Sequence, residues 1–138
     1  MSIGTTAINV SEHLPKVIGP REHGMIDYAN AVFFFGVAFL CRKRNRPAAL
    51  AALGTGAFVL AQSLLTDYPL GAKPVISFET HGKMDAGLAS ASWMIPKLFG
   101  FSDTKEARIF EVNSAVAGCV VGMTDFNSER ARLERVTR

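Results

Sequence analysis

The sequence predicts an all-α integral membrane protein of four transmembrane helices, formed by two tandem helical hairpin repeats. Three observations carry this. Apolar residues gather in four blocks, an H-G-x-x-D motif occurs twice, and a T-D-aromatic motif occurs twice at the same offset. The chain has 138 residues, of which 49% are hydrophobic and 20% charged. Its mean hydropathy is +0.20. One domain's worth of chain with that apolar content excludes an intrinsically disordered protein. Phe outnumbers Tyr and Trp, at 10 against 2 and 1, which suits a greasy environment better than a wet binding surface.

The first block covers residues 25–41 and contains the run from Ala31 to Cys41. The second covers residues 47–65 without a charge, and Pro47 suits the first turn of a helix. The third covers residues 84–95 and ends against Pro96 and Lys97. The fourth covers residues 107–123, with Arg108 and Glu111 near its start. A helix needs about 20 apolar residues to cross a bilayer core. Block two meets that alone and block one nearly does. Blocks three and four are shorter.

The repeat raises the expectation for the second half. His23-Gly24-Met25-Ile26-Asp27 matches His81-Gly82-Lys83-Met84-Asp85, and Thr66-Asp67-Tyr68 matches Thr124-Asp125-Phe126, both 58 positions apart. Two motifs in one register define two copies of one unit. The expected organisation is an N-terminal tail at 1–22, a first hairpin at 23–71 and a linker at 72–80. A second hairpin follows at 81–126 and a basic C-terminal tail at 127–138. Residues 1–22 lack the charged and apolar regions of a signal peptide. Rows of small residues mark expected helix contacts: Ala48, Ala52 and Gly56; Gly87 and Ala91; Ser114, Gly118 and Gly122.

The net charge is +3. Arg42, Lys43, Arg44 and Arg46 follow an apolar block, as in a membrane-flanking loop. No basic stripe is interleaved with aromatics, so nucleic acid is not an expected partner. The lipid bilayer is, and a second copy or another membrane protein fits beside it. Cys41 and Cys119 form neither a disulfide framework nor a zinc pattern, and read as small buried hydrophobes. Trp93 reads as an interfacial anchor.

Antiparallel hairpins gather the repeated polar residues at one end of the bundle. His23, Asp27, Asp67, His81, Asp85 and Asp125 are the candidate site. Imidazole with carboxylate suits a divalent transition-metal ion, and His–Asp pairs also hold protons. The competing reading is a set of clasps between hairpins, with no cofactor. Asp27 and Asp85 fall in the first turns of their helices, where the dipole favours negative charge. Asp67 and Asp125 fall at helix C-termini, where it does not. A charged His or a backbone N–H of the facing hairpin is then expected to hold them. No phosphate loop, nucleophile elbow, H-E-x-x-H or dinucleotide fingerprint is present, so no catalytic residue is assigned.

The chain resembles the SPW-repeat integral membrane proteins of bacteria. Ser92-Trp93 followed by Phe99-Gly100-Phe101, with Asp85 and Gly87 before them, carries the resemblance. Proline is absent between Ser92 and Trp93 and stands at Pro96, and the first hairpin has Phe34-Phe35 at the matching positions. The resemblance implies a small four-helix protein of the bacterial cytoplasmic membrane. The family's biochemical role is not established, so the resemblance supplies no catalytic residues; with no catalytic motif in the chain, the expected role is structural, accessory or partner-binding rather than enzymatic. The alternatives are a membrane-embedded cation or proton site and a soluble helical bundle.

Overall fold

The computed structural model describes residues 14–137, and among these the regular structure is helical. Helix α1 spans Pro20–Cys41. Gly19 precedes it in extended conformation, and Pro20 fills the first turn, where its missing N–H costs nothing. Ala31, Phe34, Val37 and Cys41 recur every three to four residues and are buried. A short turn leads to α2, Arg46–Leu65. Asn45 caps it, its side chain accepting from the Ala48 N–H at 3.1 Å. Ala48, Ala52, Thr55 and Val59 face α1. Gly56 belongs there, since a Cβ on it would meet the Phe35 ring at 2.9 Å.

From Thr66 the chain runs extended, and the Asp67 N–H donates to the Ile76 carbonyl at 2.8 Å. Gly71 closes this loop, because a Cβ there would lie 1.9 Å from the Thr66 oxygen. Ser77 then caps α3, Phe78–Ser92, through the Thr80 N–H. The helix breaks at Trp93 and Met94, because Pro96 has no N–H to donate to the Ser92 carbonyl four residues back. A single turn, α4, Ile95–Leu98, follows. Gly100, at φ 74°, takes the left-handed conformation that ends it. The Phe101 N–H then reaches back to the Pro96 carbonyl at 2.8 Å. Helix α5 covers Ala107–Met123, and α6 covers Ser128–Val136, capped by Asn127.

Helix α1 packs on α2 and α3 packs on α5, giving two hairpins. At one end the hairpins meet through Phe34, Phe101 and Phe110, with ring centroids 5.3–5.4 Å apart. There Asn45 also donates to Glu106 at 3.2 Å. The other end holds the repeated polar residues. Helix α6 crosses it, burying Ala131 beside Tyr68 and Phe78. The segment read as a basic tail is therefore helical as far as Val136.

Two helices, α1 and α2, are long and apolar enough to cross a membrane. Their best windows have mean hydropathies of 1.6 and 1.7. Helices α3 and α5, with 15 and 17 residues, fall short. The reason is local: α3 carries Glu79, Lys83 and Asp85 and is cut before Pro96, and α5 carries Arg108 and Glu111. Of the small-residue rows, the one on α2 packs, whereas Gly87 and Gly118 face open space. Cys41 is buried as expected, but Cys119 is exposed.

Candidate metal centre

The spacing of H-G-x-x-D places His and Asp one turn apart on a single helix face. His23 and Asp27 do so on α1, and His81 and Asp85 on α3. The glycine after each histidine admits an aromatic ring. A Cβ at Gly24 would stand 2.8 Å from the Tyr68 ring, and one at Gly82 would stand 2.7 Å from Phe126. Phe78 and Phe126 meet His23 edge-on, at 5.4 and 5.1 Å, and Tyr68 and Phe78 lie tilted against His81 at 5.7 and 6.0 Å. Both histidines are fully buried.

The four residues converge. His23 Nε2 lies 3.3 Å from His81 Nε2, 2.9 Å from Asp85 Oδ2 and 3.4 Å from Asp27 Oδ1. His81 Nε2 lies 3.1 Å from Asp85 Oδ2 and 3.1 Å from Asp27 Oδ2. One ligand atom from each residue falls within 4.8 Å of the others.

The partners on the outer side of each ring fix its tautomer. Thr66 Oγ1 donates its single proton to the Gln62 carbonyl at 2.6 Å, and Thr124 Oγ1 donates to the Val120 carbonyl at 2.6 Å. Each threonine oxygen then faces an imidazole as acceptor: His81 Nδ1 at 2.7 Å and His23 Nδ1 at 2.9 Å. The proton of each neutral ring therefore sits on Nδ1. Both Nε2 lone pairs point into the centre, among carboxylate oxygens that also only accept. Lone pairs gathered in a buried place need a positive charge among them, either a shared metal ion or protons held between Nε2 and the carboxylates. Protons on Nε2 would be donated to the carboxylates, to Asp85 Oδ2 at 2.9 Å from His23 and to Asp27 Oδ2 at 3.1 Å from His81.

The carboxylates are held from outside as well. Ser63 Oγ donates to Asp27 Oδ2 at 3.2 Å and the Tyr68 hydroxyl donates to it at 3.4 Å. Burial, and then the Asp27 charge, push the Tyr68 hydroxyl up, so it remains a donor. The Gln62 amide donates to Asp85 Oδ1. Its other amide atom, Oε1, is buried without a partner among the described residues.

The donor set fits a divalent first-row metal. A tetrahedron with arms of about 2.0–2.1 Å has edges of about 3.3–3.4 Å, near the His–His and His–Asp spacings, and the four ligand atoms as a set lie within 4.8 Å of one another. Two carboxylates with two neutral imidazoles balance a doubly charged ion, so the loaded centre is neutral and suits burial. Outer partners on Nδ1 and on the carboxylates complete the arrangement usual around such ions.

Asp67 and Asp125, placed in the candidate cluster by sequence, lie outside this tetrad. Asp67 faces Arg135 at 3.8 Å and Asp125 faces Arg130 at 3.3 Å, both arginines on α6. Their expected partners were a charged His or an N–H of the facing hairpin. Gln62 and Ser63 were missed, although they precede Thr66 by four and three residues and so share its helix face. His23, Asp27 and Asp85 also border an apolar cleft of about 460 Å³ between the hairpins.

The fold and the tetrad together define a two-hairpin helical protein with a buried His₂Asp₂ cluster. No protein-family model matches the chain, and no curated protein or solved structure matches it at a significant level.

Proposed function

We propose that the chain is an integral membrane protein whose two hairpins are joined by one divalent transition-metal ion. His23, Asp27, His81 and Asp85 would hold it, and the role is structural or partner-presenting rather than enzymatic. The carrying observation is the pair of Nε2 atoms turned towards each other at 3.3 Å by Thr124 and Thr66. Four protein ligands with no reserved position are the mark of a structural site.

Several features support the membrane reading. Val32, Phe39, Leu40, Leu50, Leu53 and Phe58 are exposed along α1 and α2. Large apolar side chains exposed in that number along two neighbouring helices are what lipid or a partner would cover. Helix α5 is near the lower limit for crossing, and α3 with α4 covers a similar depth despite its break. All four long segments would then span, as two copies of one hairpin 58 positions apart. On that reading the kinship with SPW-repeat proteins, through Ser92-Trp93 and Phe99-Gly100-Phe101, is a proposal of the same standing.

Two measurements test this. Alkaline carbonate extraction of membranes should leave the chain in the pellet. Metal analysis of protein purified without chelators should find about one first-row ion per chain, and the His23→Ala/His81→Ala variant should lose it. Wild-type protein that carries no ion, and binds none on titration with zinc, cobalt or manganese, would leave a proton-holding clasp instead.

A further inference from the structure

The cleft between the hairpins has a direction. One end is the tetrad, through His23, Asp27 and Asp85, and the other is Arg108 at the start of α5. Helix α5 rises about 1.5 Å per residue, so Arg108 stands about 18 Å along its axis from Val120. Val116, Ala117, Val120 and Val121 line this length from α5, opposite Ile26 and Ala29 of α1. Between its ends the walls are apolar apart from Ser92 and a pair of asparagines, where Asn113 Nδ2 donates to Asn30 Oδ1 at 2.7 Å. That bond leaves amide N–H groups of Asn30 unused among the described residues. Among the described residues Arg108 makes no ion pair either, although Asp103, Lys105 and Glu111 line the adjoining hollow with it. The volume of about 460 Å³ falls in the range that holds one ligand of drug size, about 300–1,000 Å³.

We propose that this cleft binds a long-chain fatty acid, its carboxylate on Arg108 and its chain running towards the tetrad. Charge fixes the orientation. A guanidinium without a partner attracts an anion, and the spare amide N–H groups lie on the chain side of it. The two carboxylates at the far end repel an anion whenever no ion sits between them. A volume of about 460 Å³ along about 18 Å of helix suits one acyl chain rather than the two of a diacyl phospholipid. The proposal does not depend on the metal, so each stands or fails separately.

The test uses the full chain in lipid nanodiscs and palmitic acid carrying a diazirine near its methyl end. Illumination and peptide mapping should place the label on residues 116–121 of α5 and on Ile26 or Ala29. Excess palmitate should abolish the labelling and its methyl ester should not. Arg108→Gln, at an exposed position, should weaken competition by palmitate about tenfold, the loss of one charge-assisted contact. Ala117→Trp should block labelling by filling the cleft. Labelling spread over the outward residues Phe39 and Leu53 and unmoved by palmitate would overturn the proposal. So would competition by the methyl ester or a diacyl phospholipid equal to that of palmitate, or an Arg108→Gln variant that competes like wild type.

Discussion

His23 and His81 face each other Nε2 to Nε2 at 3.3 Å, and each is aimed there by a threonine of the other hairpin. The crossing matters. Thr124 orients the histidine of α1, and Thr66 orients the histidine of α3. Neither hairpin can set its own donor without its neighbour, so on the proposed reading ion binding and hairpin docking would be one event.

The four aspartates of the two motifs should separate into two classes. Asp27→Ala and Asp85→Ala each remove a ligand and should reduce bound metal to background. Asp67→Ala and Asp125→Ala should leave it unchanged, because those side chains face α6. Their ion pairs are half-exposed, so for Asp67→Ala the loss of stability should stay below about 1 kcal/mol. Metal analysis of the four variants side by side checks this.

Thr66→Val and Thr124→Val keep the shape of the side chain and remove the acceptor for Nδ1–H. Loss of such an outer partner lowers metal affinity about 10–100-fold. Thr66→Ser and Thr124→Ser should restore most of it, since the hydroxyl alone is required. Competition with a chromophoric chelator measures the series. Equal affinities for the Val and Ser variants would mean the threonines only fill space.

These variants also mark what the sequence makes legible. The H-G-x-x-D spacing identifies all four tetrad members, because i and i+4 share a face whatever the tertiary structure. The separation of Asp67 and Asp125 from the tetrad has a specific cause. Thr66 and Thr124 leave their helices at ψ of 140° and 135°, in extended conformation. Side chains along an extended chain alternate in direction. Thr66 and Tyr68 therefore point inward and Asp67 points out, and helical reasoning applied one residue too far assigns the wrong partner. Gln62 and Ser63 escape notice for another reason. The positions 58 residues on are Val120 and Val121, so the repeat cannot flag them. The break at Trp93 is signalled by Pro96, whereas the helicity of residues 128–136 is hidden by their charge.

Metal removal should act on stability. A ligand that binds the folded state alone stabilises it by about 2.7 kcal/mol at a free concentration 100 times its dissociation constant. Dialysis against EDTA should therefore lower the Tm of the wild type, and added zinc should restore it. The His23→Ala/His81→Ala variant should melt at one temperature in both buffers. A wild type indifferent to EDTA, in protein proven to have lost its metal, would assign the hairpin junction to packing alone.

Glycine-to-alanine substitutions should divide by what faces each Cα. At Gly24 and Gly82 the new methyl would meet aromatic rings at 2.8 and 2.7 Å, and those rings wall the tetrad. Overpacking there should cost about 1–3 kcal/mol and displace Tyr68 or Phe126 from the histidines. Metal affinity should fall with stability. Gly87 lies on α3 with no atom within 4 Å of the added carbon. Alanine there gains helix propensity without a clash, worth about 0.8–1 kcal/mol. Thermal melts of Gly24→Ala, Gly82→Ala and Gly87→Ala should therefore move in opposite directions, down for the first two and up for the third. A fall for Gly87→Ala as large as for the others would show that its open face is covered, by lipid or by a second copy, more tightly than the isolated chain allows.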